Sequence, residues 1–335
     1  VRSPLQGGLP PVGAVTGAVV EIACDESGFS GTNLLHSSAP VITHASVDLS
    51  ADEAVGLITA LRSGFRFSPH ELKSSVFSRA VAGRSDGKAG QFLRGPGAGD
   101  ALQWFLAALA GRAHVHLVDK EFFLVTRVVD LLLTEPSYAA GTRLTQDHRP
   151  AARELYRAGR SAGSDWGVFL AAFVELVRIK RRRPGRRGVE QFFQARDALV
   201  RHGLGAPAEA VLNGLGPAPV RAVLSRLDND DRSIPPPLEP MLPALAETVL
   251  FWSGGRRQVL VTHDEQSALT ADRLTRLRQV LAPDSGASPL AGLVMVDSRD
   301  DPRVQVADLL AGVARRLPET ITGALLSPTS LRDPA

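Results

Sequence analysis

The stretch TGAVVEIAC, ending at Cys24 and followed directly by DESGFSG from Asp25 to Gly31, decides how the rest of the chain is read. It is short, rich in β-branched residues and bounded by turn formers, so it reads as a buried strand. Asp25 then stands at the strand's C-terminal end, where open α/β sheets form their ligand crevices. Working outward, LLHSSAP and VITHASVDL read as two more short strands, the second alternating apolar and polar residues. A helix follows. Ser50 is its candidate N-cap, Glu53 the capping-box partner three residues on, and Val55, Leu57, Ile58 and Leu61 its apolar face, with an end expected near Gly64.

Beyond a Gly-rich stretch from Gly83 to Gly99, ALQWFLAALAG predicts a helix, HVHLVD a strand ending at Asp119, and EFFLVTRVVDLLL another helix. From about Pro136 to Pro243 the pattern is helical segments separated by Gly and Pro, with IPPPLEPMLP as a stiff connector. The α/β rhythm then returns. RQVLVTHDEQ and LAGLVMVDS read as strands, ALTADRLTRLRQVL as an amphipathic helix, and PRVQVADLLAGVARRL as a last helix whose Val304, Leu309, Leu310 and Val313 face the core. The expected organisation is a disordered lead over 1–14, the first part of an α/β domain over 15–135, a helical insertion with its Pro-rich connector over 136–243, the second part over 244–318, and a tail over 319–335. The fold class is α/β, a mixed central sheet flanked by helices.

With 44% hydrophobic residues in 335, the chain can bury a large core without disulfides. Its one cysteine, Cys24, lies in an apolar run as a small hydrophobe, excludes an intramolecular disulfide and fits a reducing compartment. The opening residues make a poor signal peptide and no apolar run reaches the ~18 residues of a membrane span, so a soluble, cytoplasmic protein with no membrane partner is expected. The net charge of +3 is unevenly placed. RIKRRRPGRR gathers Arg178, Lys180, Arg181, Arg182, Arg183, Arg186 and Arg187, which either contact nucleic-acid phosphates or form a solvated loop in an Arg-biased composition. With only four lysines among 38 basic residues, that bias is the one a high-GC bacterial genome imposes.

Carboxylates stand where backbone ends converge: Asp25 after the first strand, Glu71 after the first helix, Asp119 after a later strand and Asp308 on the last helix. Clustered acids repel unless a cation sits among them or some stay protonated. Hard oxygen ligands of this kind suit Mg²⁺ or Mn²⁺, and a pair of such ions supports phosphodiester hydrolysis without a covalent nucleophile. No phosphate-cradling Gly-rich loop with Lys-Ser/Thr, GxSxG elbow, CxxC pair or HExxH helix points elsewhere.

DESGFSG, then ELKSS, VDK in the middle and VDSRDDPRVQVADLLAG near the end resemble the domain-of-unknown-function 3800 family, from about Val19 to Arg316. The resemblance implies a ribonuclease H-like fold. It assigns family positions to Asp25, Glu26, Ser27 and Gly28, to Glu71 and Lys73, and to Ser298, Gln305 and Asp308. In the ribonuclease H-like pattern the catalytic acids come from the first strand, the first helix region, the fourth strand and the last helix, roles that would fall to Asp25, Glu71, Asp119 and Asp308. Asp264, at the end of VLVTHD, is a rival ligand. Lys120 and His263 would support the site.

The implied function is a Mg²⁺- or Mn²⁺-dependent nuclease acting on DNA or RNA, with a non-catalytic nucleic-acid-binding module or an integrase- or resolvase-like strand-transfer enzyme as alternatives. Plainer readings stand beside these. Asp25 can be a turn acid ahead of Ser-Gly, Asp119 an ordinary strand end, Glu71 and Lys73 a surface pair, and Asp308 a solvated helix residue. Gln305 and Asp308, at i and i+3, share one helix face. His114 and His116 share one strand face, as two metal ligands would, yet lack a third nitrogen or sulfur ligand and read as structural.

Overall fold

The computed structural model describes residues 8–11, 17–29, 31–35, 40–65, 98–178, 186–283 and 286–316. The chain divides into two compact units, one of Val1–Phe29, Val41–Leu117 and Glu247–Ala335, the other of Ser30–Pro40 and Val118–Ala246.

In the first unit, β1 (Val19–Ser27), β2 (Val41–Val47), β3 (Ala113–Asp119), β4 (Gln258–Asp264) and β5 (Leu290–Val296) form a mixed sheet in the order β3-β2-β1-β4-β5. β2 runs antiparallel to β1, whereas β4 and β5 run parallel to it. Leu9 exchanges two main-chain hydrogen bonds of 2.8 Å with Leu293, covering part of the β5 edge.

α1 (Ala51–Phe65) starts where its capping box demands: the Ser50 amide donates to Glu53 Oε2 (2.7 Å) and the Glu53 amide to Ser50 Oγ (3.3 Å). Arg112 forks onto the same carboxylate at 2.5 and 3.0 Å and, with Ser50, holds it down at about 2. With α2 (Ala98–Ala108) and α11 (Pro302–Arg316), α1 covers one sheet face, where Leu61, Phe105, Leu109, Val304, Leu309 and Leu310 pack on Ala23, Ala45 and Val47. Burying each large side chain contributes roughly 1.5–3 kcal/mol. The other face receives the end of α9 (Met241–Ser253), whose Trp252 donates its indole N–H to Ser46 Oγ at 2.8 Å. α10 (Ala271–Leu281) links β4 to β5.

The second unit is helical: α3 (Lys120–Leu132), α4 (Arg149–Gly159), α5 (Ser164–Val177), α6 (Arg186–Arg201), α7 (Ala206–Gly214) and α8 (Pro217–Asp228), with no strand of its own among the described residues beyond the last two residues of β3. The sequence reading started the insertion at 136; the contacts start the unit at Val118. α3 explains the difference. It is buried nearly all round, from Phe123 to Leu132, and packs on α4, α5 and α8, which is the behaviour of a core helix of a bundle. Trp166, Phe169 and Phe192 stack through this unit, and Gly159 admits the indole: a Cβ there would come within 2.3 Å of the Trp166 ring.

Three further expectations shift. β1 runs on through Asp25 to Ser27. LLHSSAP contributes no strand at Leu34, Leu35 or Pro40, the rest of it lying outside the described residues, so HVHLVD is the third strand. The stiff connector is shorter than its prolines suggest, because α9 starts at Met241 and takes Pro243 into its first turn, where a missing N–H costs no helical bond. The lead over 1–14 is described only at residues 8–11, and the tail over 319–335 lies outside the description. Among the described residues no helix is long and apolar enough to cross a membrane.

Candidate metal centre

Strand alternation sorts the β1 end between two faces. Asp25 lies opposite Ala45 in β2, and Ala45 belongs to the core beneath α11, so Asp25 faces that helix. Ser27 does too: Thr43, its partner in register, donates through Oγ1 to the Ala311 carbonyl of α11 at 2.7 Å. In parallel register Cys24 pairs with His263, which brings Asp264 beside Asp25 on the same face, at the matching end of β4. α11 supplies Asp308 to this face.

The acids act on one another. Asp25, only 5% exposed, has its carboxyl pushed well up, first by burial, then by Glu26, Asp308 and Asp264, while the Glu26 amide, 2.6 Å from Oδ1, pulls it down. Asp264 is also raised, by burial and by Asp297 and Asp308, against amide hydrogen bonds from Glu265 and Ser298. Three carboxylates from two adjacent strand ends and one helix therefore share a negative field. Among the described residues, no three or more His, Cys, Asp or Glu side chains are arranged as a metal cage. Mg²⁺ does not require one, because it keeps several waters and is commonly held by one or two carboxylates with the substrate's phosphate. The donor chemistry fits that mode.

The remaining predicted residues separate. Asp119 ends the third strand and belongs to the helical unit. Its Oδ1 accepts from the Phe122 amide (2.9 Å) as the N-cap of α3, and its Oδ2 accepts from the Tyr156 hydroxyl (2.9 Å). The fourth strand is β4, and its terminal acid is Asp264, the residue the sequence reading held as the rival. Lys120 is buried in the helical unit, its amide bonded to the Pro40 carbonyl. Ser298 contributes its backbone: its amide donates to Asp264 Oδ1 at 3.0 Å and orients that carboxylate. Gln305 and Asp308 share α11, as expected.

Glu71 and Lys73 lie outside the described residues, as do Lys180, Arg181, Arg182 and Arg183. Arg186 and Arg187 open α6, and Arg178 ends α5 in an ion pair with Glu175 at 3.0 Å.

The opposite face of the same strand ends is a polar interior. Glu26 accepts a hydrogen bond from Gln266 Nε2. His44 and His263, both fully buried, meet Nε2 to Nε2 at 3.1 Å. The network fixes their tautomers. His263 Nδ1 lies 2.9 Å from the Asp264 carbonyl, which can only accept, so Nδ1 carries the proton and Nε2 accepts from His44. His44 Nδ1 then accepts from Thr248 Oγ1 at 2.8 Å. His114, far from ligating anything with His116, stacks on Phe251 at 3.8 Å. Cys24 is fully buried, its thiol pushed up by burial and by Asp25 and Glu26.

Two features escaped the sequence reading. The Thr248–His44–His263 chain joins residues with no common motif. Arg315 donates from Nε to Ser27 Oγ at 2.9 Å, and its signal was only its spacing, seven residues after Asp308. No family model matches the chain, and no curated protein or solved structure matches it either.

Proposed function

We propose that the chain is a ribonuclease H-like nuclease that hydrolyses phosphodiester bonds of DNA or RNA with Mg²⁺ or Mn²⁺. The observation that carries this reading is the convergence of Asp25, Asp264 and Asp308 on one sheet face, each raising another's pKa or having its own raised. The ribonuclease H-like pattern expects acids on the first strand, the fourth strand and the last helix, and these three residues stand on β1, β4 and α11. Asp25, Asp264 and Asp308 would hold the metal, with Asp119 replaced by Asp264 in the ligand set. Bound there, the divalent ion supplies an activated water and stabilises charge on the leaving oxygen.

The chain's own residues do the positioning. The Ser298 amide aims Asp264, the Glu26 amide aims Asp25, and the two Asp residues are held on rigid strand ends. Burial of Asp25 makes its charged form costly without a cation, so the site favours an occupied state.

The test is a panel of single- and double-stranded DNA, RNA and hybrids assayed with Mg²⁺, Mn²⁺ and chelator. Cleavage of at least one that stops on chelation is the expected result. Binding without metal-dependent cleavage would move the chain to the nucleic-acid-binding module.

A further inference from the structure

Seven residues separate Asp308 from Arg315, just under two turns, so both lie on the stripe of α11 that faces β1. Arg315 reaches Ser27, two residues beyond Asp25 on the same strand face, and Nε donates to its hydroxyl at 2.9 Å. Gly28 makes the space. Its φ is +89°, and a Cβ there would come within 2.6 Å of both Arg315 Cδ and the Val41 carbonyl oxygen. The Ser-Gly pair after the acids therefore seats an arginine: Ser27 fixes the guanidinium's inner nitrogen and Gly28 lets its stem pass.

The outer nitrogens are what matter next. Arg299 is paired with Asp297 and Arg303 with Asp301. Arg315 makes no ion pair among the described residues, although it is half-buried at the end of a strand lined with acids. A guanidinium fixed at Nε and open at its two terminal amino groups matches the paired oxygens of a phosphate, which it can bind bidentately. Along β1, Ser27 is roughly 7 Å beyond Asp25, and along α11, Arg315 is roughly 10 Å beyond Asp308. That is too far for the arm to share a phosphate oxygen with the acids, and suits the next phosphate of a strand.

We propose that Arg315, held by Ser27 and admitted by Gly28, is a positioning residue that binds the phosphate adjoining the scissile one, which makes the substrate a polynucleotide and not an isolated phosphodiester. This rests on the nuclease reading above. A competing role is a strut that merely ties α11 to β1.

Steady-state kinetics with Mn²⁺ on a labelled oligonucleotide and on bis(p-nitrophenyl) phosphate, a diester with no neighbouring phosphate, separate the two roles. Equilibrium binding of the oligonucleotide over a salt series is measured alongside. Arg315→Ala is expected to raise the oligonucleotide KM about tenfold with kcat little changed, and to reduce the salt slope by about 0.7–0.9, one phosphate contact. Hydrolysis of the small diester should stay at the wild-type level. Arg315→Lys should restore the salt slope but only part of the KM, and Ser27→Ala should fall between wild type and Arg315→Ala. An unchanged KM and salt slope in Arg315→Ala overturns the proposal, as does an equal loss on both substrates with a lowered melting temperature, the signature of a strut. If the small diester is not turned over, the salt slope decides alone. Wild-type protein that neither binds nor cleaves nucleic acid brings down the nuclease reading and this inference with it, whereas active wild type with an indifferent Arg315→Ala brings down the inference alone.

Discussion

His44 and His263 face each other across β1, Nε2 to Nε2 at 3.1 Å, from strands that flank it on opposite sides. Both rings are fully buried and neutral, since burial lowers both, His263 to about 4. Each nitrogen has a defined partner, from Thr248 at one end to the Asp264 carbonyl at the other. The chain ends on the backbone of the residue that supplies a candidate metal ligand.

The pair should make the metal-free protein acid-sensitive. A folded-state pKa below the unfolded value of 6.5 means the unfolded chain takes up the proton first, so the stability is fully present above about 6.5 and is lost as pH falls through about 4. The His263 shift corresponds to roughly 3 kcal/mol. Denaturant unfolding across this range, compared with a His44→Gln/His263→Gln variant, isolates the pair from the carboxylates. Parallel profiles would remove the effect. Thr248→Val, which keeps the shape but leaves His44 Nδ1 without its donor, should cost about 1–3 kcal/mol.

Asp25→Asn, Asp264→Asn and Asp308→Asn should each lower metal-dependent turnover by on the order of a hundredfold or more, because each removes a charged oxygen ligand while keeping the side-chain shape. In the metal-free protein the sign reverses for Asp25. Its folded pKa is raised, so its favourable contribution is complete below the unfolded value of about 3.9 and is lost as pH rises through the folded value. Asp25→Asn should therefore unfold at a higher temperature than wild type at neutral pH without metal, and gain less from added Mn²⁺. Thermal melts with and without metal read both effects; wild-type turnover and an equal metal shift would remove Asp25 from the site.

Asp119 separates a helix cap from a ligand. Asn caps about as well as Asp, so Asp119→Asn should leave turnover and melting temperature near wild type, whereas Asp119→Ala should cost about 1 kcal/mol. Burial and the Asp119 hydrogen bond hold the Tyr156 phenol at about 12. Alkaline titration of the phenolate absorbance should show an earlier transition in Asp119→Ala. A large turnover loss in Asp119→Asn would return this residue to the ligand set.

The basic run can be tested by charge alone. If Arg181, Arg182 and Arg183 contact phosphates, replacing all three should weaken oligonucleotide binding and flatten its salt slope by about 2–3, while the turnover of bound substrate persists. An unchanged slope assigns the run to a solvated loop.

The chain's local chemistry carries its elements. The buried apolar run into Asp25, the Ser50–Glu53 capping box and the amphipathic last helix depend on neighbours a few residues away, and each stands where the residues put it. Asp25 and Asp308 were legible as candidates for the same reason. What local pattern cannot report is pairing. Counting LLHSSAP as a strand made HVHLVD the fourth and promoted Asp119, whereas hydrogen bonding across the sheet makes β4 the parallel neighbour of β1 and sets Asp264 beside Asp25. The same holds for His44, Thr248 and His263, more than 200 residues apart from first to last, and for Arg315, which Ser27 meets across 288 residues. Such juxtapositions come from register and from which sheet face a helix covers, free-energy choices made by the whole core and written in no single segment.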